Sequence, residues 1–183
     1  DRLDFRSFPH RRPSDLPCPD VSAQQQILMD AVSEIGVINS TEWLAPARAL
    51  VSLASIAPEL AEAALPQFLE HENAFVRSYA ATTAALLGQT DVLRVLSRDP
   101  IPNVRTAAIQ FLAARDSESI DELLVSQLST DDPQLLMTAA RLLENSPLGL
   151  QAASATLLAF ERVSASQRRS EERRVGKECR SRW

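Results

Sequence analysis

Ala74-Phe75-Val76-Arg77-Ser78-Tyr79-Ala80-Ala81 returns, with substitutions, as Pro102-Asn103-Val104-Arg105-Thr106-Ala107-Ala108-Ile109. It returns more loosely as Gln134-Leu135-Leu136-Met137-Thr138-Ala139-Ala140-Arg141. The copies are offset by 28 residues from Val76 to Val104, and by 32 from Val104 to Leu136. That is close to the length of two short helices and two turns, and self-similarity at such a period marks a stacked α-helical array.

Outward from these copies, the chain reads as nine helices. The pattern turns helical at Asp20, with Asp20 or Ser22 as N-cap and Ile27, Leu28, Ala31, Val32 and Ile35 on one face until Gly36. A second helix is predicted from Ser40 or Thr41, carrying Trp43, Leu44, Ala47, Leu50, Val51 and Ala54 inward, with Pro46 in its first turns, where a missing donor costs least. The third starts at Pro58, packs Leu60, Ala64, Leu65, Phe68 and Leu69, and is bent or divided at Pro66. The fourth covers 74–88 and ends on Gly88 as a left-handed cap. Thr90 or Asp91 caps a fifth, with Val92, Leu93, Val95 and Leu96 inward. Asp99-Pro100-Ile101-Pro102 leads into the sixth, and residues 117–121 open the seventh, with Leu123, Leu124, Gln127 and Leu128 following. Asp132-Pro133 reads as N-cap plus first helical residue of the eighth, and Ser146-Pro147 repeats that device for a ninth, running to about Ser164. No strand-length apolar alternation competes, so the fold class is all-α: an α-solenoid of antiparallel helix pairs over 20–168.

The two ends read differently. Residues 1–19 hold Pro9, Pro13, Pro17 and Pro19 and form a Pro-rich extended arm or linker, in which His10-Arg11-Arg12 is a small solvated basic cluster. Residues 169–183, Arg-Ser-Glu-Glu-Arg-Arg-Val-Gly-Lys-Glu-Cys-Arg-Ser-Arg-Trp, look like the in-frame translation of a common short-read sequencing adapter beginning AGATCGGAAGAGC. Lys177 in this stretch is the chain's only lysine. The segment is therefore set apart as an adapter-derived artefact tail rather than a basic nucleic-acid-binding tail, which leaves the natural C-terminus unknown. The chain does not open on methionine and shows no charged-then-apolar leader, which points to a start inside a longer protein and leaves the compartment unassigned.

Without that tail the chain has 13 basic and 21 acidic side chains, a formal charge of −8 against −5 for the whole. Neutralising a phosphate backbone needs clustered Lys or Arg, so nucleic acid is an unfavoured partner. No apolar run reaches the roughly 20 residues a membrane helix requires. Cys18 is the only thiol outside the tail, His10 and His71 lie far apart, and no zinc spacing exists, so no metal or cofactor is expected. Glu59, Glu62, Glu70 and Glu72 cluster in sequence but read as the wet face of an amphipathic helix.

At the repeated residues the chain resembles HEAT-repeat proteins of the short bacterial type, whose second helices begin with a proline or acidic residue followed by Val-Arg-x-x-Ala-Ala. The resemblance covers about residues 20–168. Val76, Val104 and Leu136 would be core knobs, and Ala80, Ala108 and Ala140 the small residues that let neighbouring helices approach. For Arg77 and Arg105 the resemblance implies a ladder of hydrogen bonds to acidic or carbonyl groups of an adjacent repeat, with Asp99 and Asp131 as candidate acceptors; the alternative is a grip on a carboxylate or phosphate ligand. Met137 stands where the third arginine would be. A narrower resemblance is to the helical region of bacterial proteins that join HEAT repeats to a C-terminal cyclophilin-type peptidyl-prolyl isomerase domain, none of whose own residues is present.

The leading functional expectation is a non-catalytic scaffold that binds a protein or peptide partner on a rigid surface. The enzymatic alternatives are the isomerase of that fusion, its catalytic domain missing here, and a HEAT-like lyase or glycosylase; no constellation of His, Cys, Asp or Glu suggests the latter. The oligomeric state is left open, although Leu150, Leu157, Leu158 and Phe160 on the ninth helix are expected to lack a covering repeat. The structural positions singled out are Val76, Arg77, Asp99, Val104, Arg105, Asp132 and Pro133.

Overall fold

The computed structural model describes residues 20–36, 42–115, 120–144 and 146–180. The arm at 1–19, the cap expected at Ser40 or Thr41, the opening of the seventh helix at 117–119, and the burial of Val175 and Trp183 lie outside the described residues. Within them the chain is all-α, with nine α-helices and no strand: α1 (Val21–Ser33), α2 (Leu44–Ile56), α3 (Pro58–Leu69), α4 (Ala74–Leu87), α5 (Thr90–Leu96), α6 (Pro102–Arg115), α7 (Asp121–Gln127), α8 (Pro133–Leu143) and α9 (Gly149–Arg180). A 3-10 turn, Glu34–Gly36, extends α1.

Local chemistry starts these helices. The Asp20 carboxylate accepts from the Ala23 amide at 2.7 Å, the Asn73 side chain from Phe75 at 2.9 Å, and the Asp132 carboxylate from Leu135 at 2.8 Å. Each satisfies one of the amides a helix start leaves without a partner. Pro133 follows Asp132 as the first helical residue, where its missing donor is no loss.

Packing then orders the helices. α1 lies on α2, α3 on α4, α5 on α6 and α7 on α8, while α2 contacts α4, α4 contacts α6 and α6 contacts α8. The even-numbered helices therefore form a continuous row. Leu50, Leu53, Phe68, Val76, Leu93, Val104, Ile109, Leu112, Leu135 and Leu136 have no accessible surface along it, and Ala47, Ala80, Ala81, Ala84, Ala108 and Ala139 let backbones close up between them.

Several positions differ from expectation. Ala139, rather than Ala140, is the buried alanine of α8, so the buried stripe of that helix (Leu135, Leu136, Ala139, Leu143) sits one residue earlier than the sequence match. Val95 is 71% exposed because Leu93 and Leu96, three residues apart, already occupy the inner face of the two-turn α5. Ile27 points outward at 60% exposure, leaving Val32 and Ile35 to carry α1. Leu44 and Leu60 stay at the rim. Neither Thr90 nor Asp91 caps α5: Gln89 is the cap residue, without a side-chain bond, and Asp91 pairs with Arg94 instead. Pro66 does not divide α3; Glu62 and Pro66 are both exposed, so the carbonyl that loses its amide partner is within reach of water.

The last helix departs at both ends. Ser146 accepts from the Leu148 amide at 3.0 Å and donates to the buried carboxylate of Asp121, so it closes a turn and α9 begins at Gly149. A side chain at Gly149 would run into the carbonyl of Leu143, so only glycine lets α9 start that close to the end of α8. α9 continues past Ser164 to Arg180 through a run of Gln, Arg and Glu that favours helix. The side chains of Arg169, Ser170, Glu171 and Arg173 are exposed along it.

Gly88 ends α4 at φ 75°, where the Gln89 amide closes back on Ala84 at 2.9 Å. Gly88→Ala is expected to cost about 1 kcal/mol in urea unfolding, the left-handed penalty for an L side chain. Gly36→Ala, with open space around the added methyl and ordinary φ, is expected to change stability by no more than about 0.5 kcal/mol. Equal losses at both sites would contradict the assignment.

Candidate functional site

Arg77 and Arg105 are each the fourth residue of their helix, α4 and α6. From that position each guanidinium turns back over the first turn. Arg77 Nη1 donates to the carbonyls of His71 (2.7 Å) and Glu72 (3.0 Å), and Arg105 Nη1 to those of Asp99 (2.8 Å) and Pro100 (3.1 Å). The acceptors lie six and five residues upstream in both cases, so one local device recurs with the repeat.

The free edge of Arg77 crosses to the next unit. Its Nε meets Asp99 Oδ2 at 2.7 Å and its Nη2 meets Asp99 Oδ1 at 3.0 Å, a two-pronged pair with side chains only 12% and 7% exposed. Asp99 Oδ1 also accepts from the Ile101 amide at 2.8 Å. Burial alone would push the Asp99 carboxyl up, but the Arg77 hydrogen bonds, the Ile101 N–H and the charges of Arg77 and Arg105 outweigh it and hold the acid below the usual carboxylate range. The same hydrogen bonding to Asp99 raises Arg77 above the ordinary arginine value, against the opposing effect of burial.

At the opposite end of these helices Arg115, the last residue of α6, donates to the carbonyl of Ala85 in the last turn of α4. Like ends of α4 and α6 are thus joined twice. Val76 and Val104, one residue before each arginine, are fully buried.

The third junction is built differently. The first turn of α8 holds no arginine, its fourth residue being the buried Leu136, and Arg162, reaching in from α9, serves the loop before it instead. Its Nη2 donates to the carbonyls of Leu128 (3.0 Å) and Thr130 (2.7 Å), and its Nε to Asp131 Oδ1 at 3.2 Å. Asp131 is therefore paired with Arg162 and does not extend the ladder to Arg105. The Nε of Arg105 is buried with no hydrogen-bond partner among the described residues. Arg162 had no local signal in the sequence, since it belongs to another helix; the absent arginine at position 137 was the trace that something else must serve that loop.

The even helices also present an outer stripe. Matching buried positions, Val76 with Val104 and Leu135, aligns Phe75, Tyr79 and Thr82 of α4 with Asn103, Ala107 and Gln110 of α6 and with Gln134, Thr138 and Arg141 of α8. Phe75 stacks on Trp43 from the start of α2, with ring centroids 5.4 Å apart and planes within 7°, and Tyr79 closes on Trp43 at 6.1 Å. Phe75 is 57% exposed, so this aromatic cluster faces solvent. Between α6 and α8 an open groove of about 430 Å³ is lined by Gln110, Pro133, Gln134, Met137, Thr138 and Arg141.

The remaining polar candidates serve the fold. His71 Nδ1 accepts from the Asn73 amide at 3.0 Å, and Glu62 accepts from Gln89 at 2.9 Å. Among the described residues no group of three or more His, Cys, Asp or Glu could hold a metal ion, and no helix is long and apolar enough to cross a membrane. Comparisons with protein-family models, with curated proteins and with solved structures found no match.

Three outcomes are expected. Arg77→Ala should cost about 2 kcal/mol and Arg105→Ala roughly 1 to 3 kcal/mol in urea unfolding, because buried acceptors lose their donors. For Asp99 the folded pKa is depressed, so its contribution is complete above the unfolded value of about 4 and is lost as pH falls through the folded value. Asp99→Asn should therefore be less stable at neutral pH, with a shallower loss on acidification; parallel acid limbs in wild type and variant would refute the role. Separately, Arg162→Ala should weaken hydrogen-exchange protection around Ala159 to Val163 more than around Val76 to Ala84, and uniform loss would show that Arg162 does not specifically secure α9.

Proposed function

We propose that residues 20–168 form a HEAT-like α-solenoid of antiparallel helix pairs acting as a non-catalytic scaffold for protein–protein interaction. The repeated arginine device, the like-end joining of α4 and α6, and the α2–α4–α6–α8 row support this reading of the fold.

The observation that carries the function is the outer stripe of that row. It is apolar and aromatic at one end, in Trp43, Phe75 and Tyr79, and amide-lined with an arginine at the other. Aromatic residues, methionine and arginine are the types enriched where proteins meet. Helices hold the stripe in place before any partner arrives, which lowers the ordering cost of binding. The mechanism is display of a rigid surface to an extended segment of another protein, with no bond made or broken.

Selection of random peptides displayed on phage tests it. Peptides enriched on the protein are expected to lose at least about tenfold in affinity to Phe75→Glu or Arg141→Gln, equivalent to about 1.4 kcal/mol. Val95→Ala, on the exposed side of α5, should leave affinity unchanged. Enrichment mapping to α5 or α7, or no enrichment, would overturn the scaffold reading.

A further inference from the structure

The even-numbered helices contain no aspartate or glutamate. α2, α4, α6 and α8 together carry five arginines, Arg48, Arg77, Arg105, Arg115 and Arg141, and no acidic residue. The odd helices α1, α3, α5 and α7 carry six acidic residues and one arginine. In a chain with 24 acidic side chains, charge is thus sorted between the two sets of helices.

Three of the five arginines are committed to the junctions: Arg77, Arg105 and Arg115. Arg48 and Arg141 have no hydrogen-bond or ion-pair partner among the described residues. Arg48 shares its groove with Glu34 and Glu42, which lower its local potential. Arg141 shares its groove with no carboxylate among the described residues. Its neighbours there are the carboxamides of Gln110 and Gln134, the Thr138 hydroxyl and the apolar surfaces of Met137 and Pro133.

Resting on the scaffold reading, we propose that the α6–α8 groove binds an acidic, extended peptide segment whose carboxylate pairs with Arg141. The guanidinium matches a carboxylate in two-pronged geometry, as Arg77 and Asp99 do within this fold. Each carboxamide offers a donor and an acceptor, which is what an extended backbone requires. Met137 supplies an adaptable apolar contact for the side chains between. The acidic odd helices repel the same peptide, so register on the even row is favoured. A nucleic-acid strand fits less well, because its affinity grows with the number of phosphates neutralised and the groove offers one guanidinium.

The test uses the full chain and a fluorescein-labelled peptide of about twelve residues repeating Glu-Leu-Ser, which spans roughly 40 Å when extended and so crosses several helices spaced about 9 Å apart. Its companions are the Gln-Leu-Ser and Lys-Leu-Ser peptides and a single-stranded oligo-dT of similar length. Anisotropy titration is expected to show the Glu peptide bound at least about tenfold more tightly than the Gln peptide, with affinity falling as salt is raised. Arg141→Gln should remove that preference, while Arg98→Gln, an exposed arginine beyond α5, should preserve it. Circular dichroism of Arg141→Gln should match wild type, because Arg141 is exposed and has no bonded partner among the described residues. Equal binding of Glu and Gln peptides, no binding of the Glu peptide, an equal loss in Arg98→Gln, or tighter binding of oligo-dT would each overturn the proposal. If phage selection still yields neutral peptides lost in Phe75→Glu, the scaffold reading stands and only the acidic-groove assignment falls.

Discussion

Asp99 ties the first turn of α4 to the start of α6: its carboxylate takes Arg77 and the Ile101 amide, and its backbone carbonyl takes the guanidinium of Arg105. Buried ion pairs rarely add much net stability, because desolvation cancels most of the attraction. Their value here is in register. The buried faces of α4 and α6 are mostly alanine and larger aliphatic residues, and non-directional apolar contacts fix alignment less sharply than a directional polar pair does. A bidentate pair at one end, with Arg115 on the Ala85 carbonyl at the other, leaves one alignment in which Arg77, Asp99 and Arg115 all keep their partners.

What the sequence made legible follows from how local each signal is. Val76 and Val104, the caps at Asp20 and Asp132, and Gly88 depend on residues within a turn or two, and their patterns survive in one dimension. Arg77 and Asp99 could be nominated because the repeat carries the same residue to the same phase. Failures came where tertiary packing chose among apolar residues of similar rank. Ile27 and Val95 are as hydrophobic as the neighbours that were buried instead, and only the number of faces each helix must cover decides between them. The phase of α8 slipped by one residue because Leu135 and Leu136 are both good core residues and the missing arginine at Met137 removed the landmark. Of the candidate site, the aromatic end was hidden because Trp43 and Tyr79 do pack half-buried against the core, and only their stacking with the exposed Phe75 carries the cluster to the surface.

The sorting of charge between even and odd helices has a bearing on solubility as well as on recognition. Acidic side chains concentrated on the odd helices and loops give the molecule self-repulsion on one side, which discourages association there. The even row is left with weak charge and exposed rings, the condition under which a surface can accept a partner without being saturated by its own ion pairs.

The borrowed arginine at the third junction bears on modularity. The loop between α5 and α6 is held by Arg105 of the same helix pair, so its carbonyls need no donor from a later helix. The loop between α7 and α8 does need one, because the carbonyls of Leu128 and Thr130 are satisfied by a side chain on α9. A cut before α7 therefore breaks none of these arginine contacts, whereas severing α9 would take the guanidinium from the part-buried Leu128 carbonyl and leave Thr130 and Asp131 to water. The copies share a sequence pattern, but the loop before α8 depends on α9 for the donors that α4 and α6 supply from their own first turns.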